Sequence, residues 1–318
     1  MRGRRPKTPF CQAVDEGLTD FPKSLPTRYL YDRRGSELFE AITQLPEYYP
    51  TRTEQSILEH HALEIVEATG AGLSIIEFGS GSSMKTRLLI EAALAQHARL
   101  EYVPIDISTD FLKLSAQQLL SEYDRLSIKA LNAEYFEAIA ALPEHDGPRL
   151  ILFLGSNIGN LDSDEAVEFL SGVREQMTSR DRLLVGIDLV KDRTVLEAAY
   201  NDARGVTAEF NKNLLHRINC ELEATFDVSC FSHAAPYDER EQRIEMRLYS
   251  TCRQFVEIEA TGRTYDFEAG EYIHTEWSHK YTRESFGRIC SVAGLEFDCV
   301  WSDEREWFAT ALLRPAEA

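Results

Sequence analysis

This chain has no cysteine pair at the Cys-x-x-Cys spacing, and no cysteine–histidine grouping completes the four-ligand pattern of a zinc site. Its six cysteines stand apart at positions 11, 220, 230, 252, 290 and 299. Such scattered thiols are those of a reduced, cytoplasmic protein, so neither a disulfide framework nor a metal centre is expected. The eight histidines are equally dispersed, and the pair His60-His61 falls in a helical pattern at surface positions. Basic residues are scarce: 34 Lys and Arg face 53 Asp and Glu, for a formal net charge of −19. That field repels phosphate, which argues against nucleic acid and anionic membranes as partners. No apolar run approaches the length of a membrane span. None follows the basic start Met1-Arg-Gly-Arg-Arg-Pro-Lys7, so residues 1–7 are expected to be a disordered tail rather than a secretory signal. No internal repeat and no low-complexity segment is found.

What is present is an alternation. With 318 residues, 43% hydrophobic and 27% charged, the chain has room for one large domain or two modest ones. A capping box at Thr51-x-x-Glu54 is expected to open a helix with Ile57, Leu58, His61 and Ile65 on one stripe. Strands are predicted at 73–78, 101–106, 126–131, 149–154 and 182–188, and helices at about 84–96, 109–122 and 163–177. This is the order of an α/β doubly wound sheet, whose ligands lie at the carboxyl ends of its strands. The rhythm breaks after Asp188. Thr194-x-x-Glu197 starts a helix, a second helix runs to about Glu221, and 240–281 reads as antiparallel with a turn at Ala269-Gly-Glu. After Thr282 a helix and two strands, 295–301 and 307–313, close the chain. Residues 189–281 thus look inserted, and an insertion at the carboxyl edge of the sheet is a natural substrate lid.

The segment with most chemical content is Leu73-Ser-Ile-Ile-Glu-Phe-Gly-Ser-Gly-Ser-Ser83. A buried strand ends in an acid, then in Gly79 and Gly81, and a helical pattern follows at once. Glycines there let a ligand lie against bare backbone. Acid-x-Gly-x-Gly is the pattern of S-adenosylmethionine (SAM) sites. Ser82-Ser83-Met84 replaces the third glycine of the dinucleotide fingerprint, which suits a sulfonium with no pyrophosphate to seat. Glycine-rich strand ends also serve α/β proteins with other ligands. Asp106 closes the second strand, near the distance from Gly81 at which an acid grips a ribose diol. The competing role, a helix cap, suits Ser108 better. Glu134 follows the third strand and could accept from an adenine amino group; a surface carboxylate is the rival reading. Phe153-Leu-Gly-Ser-Asn-Ile-Gly-Asn-Leu161 sets two glycines and two amides at a strand end, and Asn160 is the candidate to hold a reacting amine. A plain turn before a cap at Asp162 or Ser163 competes with it. On a strand, His274, Glu276, Ser278 and Lys280 share one face, which spacing alone describes as the solvated face of a lid hairpin. Met246 shares a face with Ile244 and Leu248.

Several segments together resemble one family, the histidine Nα-methyltransferases of ergothioneine biosynthesis. They are Leu25-Pro-Thr-Arg-Tyr-Leu-Tyr-Asp-Arg-Arg-Gly-Ser36, Leu45-Pro-Glu-Tyr-Tyr-Pro-Thr-Arg52, Glu77-Phe-Gly-Ser-Gly-Ser-Ser83, Phe153-Leu-Gly-Ser-Asn-Ile-Gly-Asn160, Asp188-Leu-Val-Lys-Asp192, Gly205-Val-Thr-Ala-Glu-Phe-Asn211 and Arg243-Ile-Glu-Met246. The resemblance runs from about residue 20 to the C-terminus. It implies a class I SAM-methyltransferase fold, Rossmann-like, with a second substrate-binding lobe. It implies trimethylation of the α-amino group of L-histidine to hercynine, with SAM as methyl donor and no metal. The implied SAM residues are Gly79, Gly81, Lys85, Asp106, Glu134 and Tyr135. The implied histidine residues are Tyr48, Asn160, Tyr200, Met246, Glu276 and Ser278, with Asn160 and Tyr31 acting on the amine. Relatives usually carry aspartate at position 134, and Trp277 between Glu276 and Ser278 is unusual. The expected division is 53–188 plus 282–318 for SAM and 8–52 plus 189–281 for histidine. A cytoplasmic monomer acting on a small molecule is expected. A methyltransferase for another amino acid or small amine, or a non-catalytic SAM-binding homologue, is the alternative.

Overall fold

The computed structural model describes residues 8–143 and 145–317. The tail expected at residues 1–7 lies outside the described residues. Two compact units form, one from Tyr49–Lys191 with the chain from His279 onward, the other from the described residues up to Tyr48 with Asp192–Ser278.

In the first unit, continuous apolar runs make strands covered on both faces, the habit of a parallel sheet. Ser74–Phe78 and Arg149–Phe153 are buried at every position. The sheet runs Leu295–Ser302, Phe308–Pro315, Arg182–Asp188, Arg149–Phe153, Ser74–Phe78, Leu100–Asp106, Leu126–Ile128, and Leu131–Asn132 also pairs Leu100–Asp106. Phe308–Pro315 is antiparallel to both neighbours, and the other pairs are parallel. Successive strand residues feed two cores. Ile76, Phe78, Val103 and Ile151 pack with the helical residues Phe169, Val173 and Phe286. Ile75, Tyr102, Leu150 and Leu152 pack with Leu58, Ile65, Leu89 and Leu119 on the opposite face. Helices therefore cover both sides, and the sheet is doubly wound as expected. Ser74–Phe78 lies between Arg149–Phe153 and Leu100–Asp106, so the chain order reverses there. Sheets of this kind bind ligands outside the carboxyl ends at that reversal.

Three local expectations are corrected. The strand at 126–131 is two short pieces that pair opposite ends of Leu100–Asp106, because at this sheet edge Lys129 and Ala130 are exposed and only Leu126 is buried. The helix expected to open at Thr51 spans Tyr49–Thr69, and Glu54 is fully buried rather than closing a capping box. Arg193–Tyr200 is capped by Asp192, whose carboxylate accepts from the Thr194 N–H at 2.8 Å.

The second unit is built on a sheet ordered Lys23–Ser24, Tyr272–His279, Arg243–Ser250, Phe231–Ala234, with Tyr237–Asp238 also on Arg243–Ser250. Helices Pro9–Thr19, Arg33–Thr43, Arg193–Tyr200 and Val206–Leu222 belong to it. Gly270, at φ +86°, makes the expected turn before Tyr272.

Candidate active site

At the sheet's reversal point, three strand ends converge. After Phe78 the chain turns through Gly79 (φ +69°) and Gly81 (φ +48°). The N–H groups of Gly79 and Ser80 donate to Ile105 O at 2.8 and 3.1 Å. Gly81 N–H donates to Asp106 Oδ2 at 2.8 Å, and Ser108 N–H donates to Oδ1 at 2.8 Å. Burial pushes the Asp106 carboxyl up, and these backbone donors oppose the rise. Ser108 stands at the helix N-cap position without a side-chain cap bond, so the acid rather than the serine organises this end. A Cβ on Gly79 would stand 2.7 Å from Asn157 Nδ2 and 2.8 Å from Tyr135 Oη. Only glycine tolerates both that φ and that approach. Gly79, Gly81, Asp106 and Tyr135 are thereby brought together. Asn157, which the sequence did not single out from its amide-rich loop, joins them. Glu134 stands exposed at the N-cap position of the short helix Tyr135–Ile139.

A polar ladder runs beneath the glycine turn. Ser115 Oγ donates to Ser83 Oγ at 3.0 Å, and Ser83 Oγ bonds Tyr102 Oη at 3.0 Å. Tyr102 Oη donates to Glu77, whose other oxygen accepts from Thr86 Oγ1 at 2.7 Å. Glu77 is the acid of the motif, and it is buried under the turn. Burial raises its carboxyl to about 7, against the hydrogen bonds from Tyr102 and Thr86. A carboxyl raised above its unfolded value of 4.5 adds stability that is full below that pH and lost as pH rises through about 7. The loss is on the order of 3 kcal/mol. Glu77→Gln has no such titration, so the unaltered protein is expected to lose stability relative to it between about pH 5 and about pH 8. Urea denaturation across that range checks this, and parallel stability curves for the two proteins would refute it.

Lys85 reaches Glu54, with which it forms a hydrogen-bonded ion pair. Glu54 also accepts the Gly155 N–H, 3.0 and 2.9 Å from its two oxygens. A Cβ on Gly186 would lie 1.9 Å from Glu54 Oε1, so the carboxylate needs glycine there. This buried acid ties the helix Tyr49–Thr69 to Lys85 and to the turn that carries Asn160, and sequence periodicity gave no hint of it. Asn160 ends the 3-10 turn Asn157–Asn160, half-buried, behind Ser156 in the left-handed region at φ 57°.

In the second unit, Tyr200 Oη and Ser278 Oγ are 2.7 Å apart. Tyr48 meets the Tyr200 ring edge-on at 6.1 Å. Glu276 lies two residues before Ser278 on the same strand, and Thr275 Oγ1 donates to Met246 O at 3.1 Å on the next. Glu276, Ser278 and Met246 are all buried. The solvated hairpin face expected at 274–280 is therefore corrected: Tyr200 from a neighbouring helix covers Ser278, a packing that period-two spacing does not reveal. Tyr31 packs with Phe39 at 5.6 Å and Phe210 at 5.5 Å, and reaches Tyr48 through Phe39, 6.1 Å from it. Phe39 and Phe210 were not singled out from the sequence, where each reads as an ordinary apolar helix position.

Among the described residues, no group of three His, Cys, Asp or Glu is placed to hold a metal, and no helix is long and apolar enough to cross a membrane. A family model described as histidine-specific, SAM-dependent methyltransferase matches residues 10–315. The histidine N-alpha-methyltransferase of Mycobacterium tuberculosis is 43% identical over 299 residues, covering 94% of this chain and 92% of its own. Its counterpart from Mycolicibacterium smegmatis is 42% identical over the same shares. Ergothioneine biosynthesis protein 1 of Neurospora crassa is 34% identical over 294 residues, which span 91% of this chain and 33% of that larger protein.

Proposed function

This chain belongs to the SAM-dependent histidine-specific methyltransferases, and we propose that it methylates the α-amino nitrogen of L-histidine three times to give hercynine, the first step of ergothioneine biosynthesis. SAM supplies an electrophilic methyl carbon. The strand-end residues suit that group: a glycine cradle at Gly79 and Gly81, the Asp106 carboxylate for ribose hydroxyls, and Tyr135 with Glu134 toward the base. Lys85 contributes by charge, through its pair with Glu54.

Histidine falls to the second set. Glu276, Ser278 and Tyr48 read the two imidazole nitrogens, Tyr200 takes the carboxylate, and Met246 packs beneath. The observation that carries the reading is the buried Tyr200–Ser278 pair beside Glu276. Buried hydroxyl and carboxylate groups can exchange hydrogen bonds with a polar ring and gain nothing from an apolar one. Asn160 accepts an N–H of the amine through its side-chain carbonyl, and Tyr31 assists through water. The amine reacts only after losing its proton, which passes to water. What remains is alignment, the largest entropic demand of a displacement. A quaternary product has no N–H left for Asn160, and its release follows. We infer a monomer as the working unit. Six free thiols support the cytoplasm as its compartment.

Mass spectrometry of L-histidine incubated with the protein and SAM is expected to show gains of one, two and three methyl groups. A panel of other free amino acids is expected to stay unmodified. Methylation of another amine but not of histidine would overturn the substrate, and methylation of nothing would overturn the activity.

A further inference from the structure

The polypeptide passes between its two units at three places, Tyr48–Tyr49, Lys191–Asp192 and Ser278–His279. On the sheet side of these passages, one buried carboxylate gathers all three segments. Tyr49 Oη donates to Asp188, 2.8 Å from each oxygen. Lys191 Nζ is 2.5 Å from Asp188 Oδ1 and 2.8 Å from Tyr49 Oη. Lys280 Nζ is 2.8 Å from Oδ2. The side chains of Asp188 and Lys280 are fully buried, and that of Lys191 is nearly so. The backbone repeats the pattern: Tyr281 N–H donates to Asp188 O, and Val190 N–H to Tyr281 O, each at 2.9 Å.

The same knot reaches the turn that carries Asn160. Asp188 N–H donates to Ser156 Oγ at 3.1 Å, and Ser156 opens that turn. Tyr281 Oη donates to Ile158 O at 3.3 Å. A Cβ on Gly159 would stand 2.8 Å from His279 O, so the strand and the turn are in backbone contact.

Two ammonium groups on one carboxylate are costly to bury, and apolar residues of the same volume often give equal or greater stability. Burial pushes the Asp188 carboxyl up, but the lysines outweigh it and hold it below the usual range. Burial also brings Lys191 down to about 8, so the knot holds its second cation against a desolvation cost. What the arrangement provides is placement. Tyr48 is the residue before Tyr49, Ser278 lies two residues before Lys280, and Tyr200 ends the helix that begins just after Lys191.

We propose that Tyr49, Asp188, Lys191 and Lys280 are positioning residues for methyl transfer, fixing within the sheet unit the three segments that meet the turn bearing Asn160. The inference rests on the functional reading above. Displacement of about 1 Å costs a positioned reaction on the order of 100-fold.

Tyr49→Phe keeps the ring beside Trp307, 5.1 Å away, and removes only the hydroxyl. Lys191→Met removes one cation and keeps the length. Each variant is expected to lose about 10-fold or more in kcat/KM for histidine, part of the loss in kcat, while the SAM dissociation constant stays within about twofold. Released mono- and dimethylhistidine should also rise, a shift that loss of stability alone does not cause. Unchanged kcat/KM in both variants, or equal losses for histidine and SAM together with a lowered Tm, overturns the positioning role. If the unaltered protein makes no methylated histidine, the functional reading itself has failed, and the two outcomes are distinct.

Discussion

Glu276→Ala is expected to weaken histidine binding about 100-fold or more and to leave SAM binding within about twofold. Glu276 is 6% exposed, on the strand Tyr272–His279, two residues before Ser278. A hydrogen bond to a buried charged group contributes roughly 1.5–3 kcal/mol, which is about 10- to 100-fold in affinity. On the proposed reading alanine also leaves an imidazole N–H without its acceptor beside buried side chains. That second cost carries the loss to the upper end of the range or past it. Glu276→Gln keeps an accepting oxygen and gives up the charge, so about a 10-fold loss is expected. Discrimination should fall with affinity. With the acceptor gone, histidine loses its advantage over phenylalanine, whose ring demands nothing polar. Calorimetry with each ligand separately reads the outcome, and equal losses for histidine and SAM would falsify the assignment.

The contrast between the two units explains how much the sequence disclosed. In the sheet unit, strands and helices are legible because each carries an unbroken period. Ile75 and Ile76 face opposite cores and must both be apolar. The helix cap that the sequence left open between Asp162 and Ser163 is local, and it falls to Asp162 in a capping box with Glu165. Glu54 is the instructive failure. Thr-x-x-Glu before an apolar stripe reads as a capping box, yet the acid points inward to Lys85 and Gly155. Nothing within a few residues of Glu54 signals partners so distant in the chain. The strand Tyr272–His279 fails in a different way. Alternation gives two faces without telling which one packs, and here Thr275 and Glu276, neighbours on opposite faces, are both buried. The 2.7 Å contact of Tyr200 with Ser278 has no trace in spacing at all. Motif resemblance supplied what periodicity could not, because it carries whole-fold geometry in short words such as Gly-Ser-Asn-Ile-Gly-Asn.

Asp106→Ala is expected to raise the SAM dissociation constant on the order of 100-fold, while KM for histidine at saturating SAM stays within about threefold. The proposed function gives the carboxylate a second duty beside the one the structure shows. Asp106 accepts the N–H groups of Gly81 and Ser108, one on each oxygen at 2.8 Å, which sets the shape of the glycine turn. On the proposed reading its remaining lone pairs accept from a ribose diol at the sheet's reversal point, one hydroxyl to each oxygen. Two charge-assisted bonds at roughly 1.5 kcal/mol each give about 3 kcal/mol, or about two decades in affinity. Asp106→Asn separates the duties. Its single carbonyl oxygen can keep one backbone donor, but its NH2 group faces the other donor and cannot accept from the diol. Asparagine is therefore expected to recover little of the lost affinity, while Asp106→Glu, with both oxygens on a longer arm, recovers part of it. If asparagine restores full SAM binding, the carboxylate serves the turn alone and the ribose is held by other groups. If alanine leaves SAM affinity unchanged, the cofactor does not lie against this strand end.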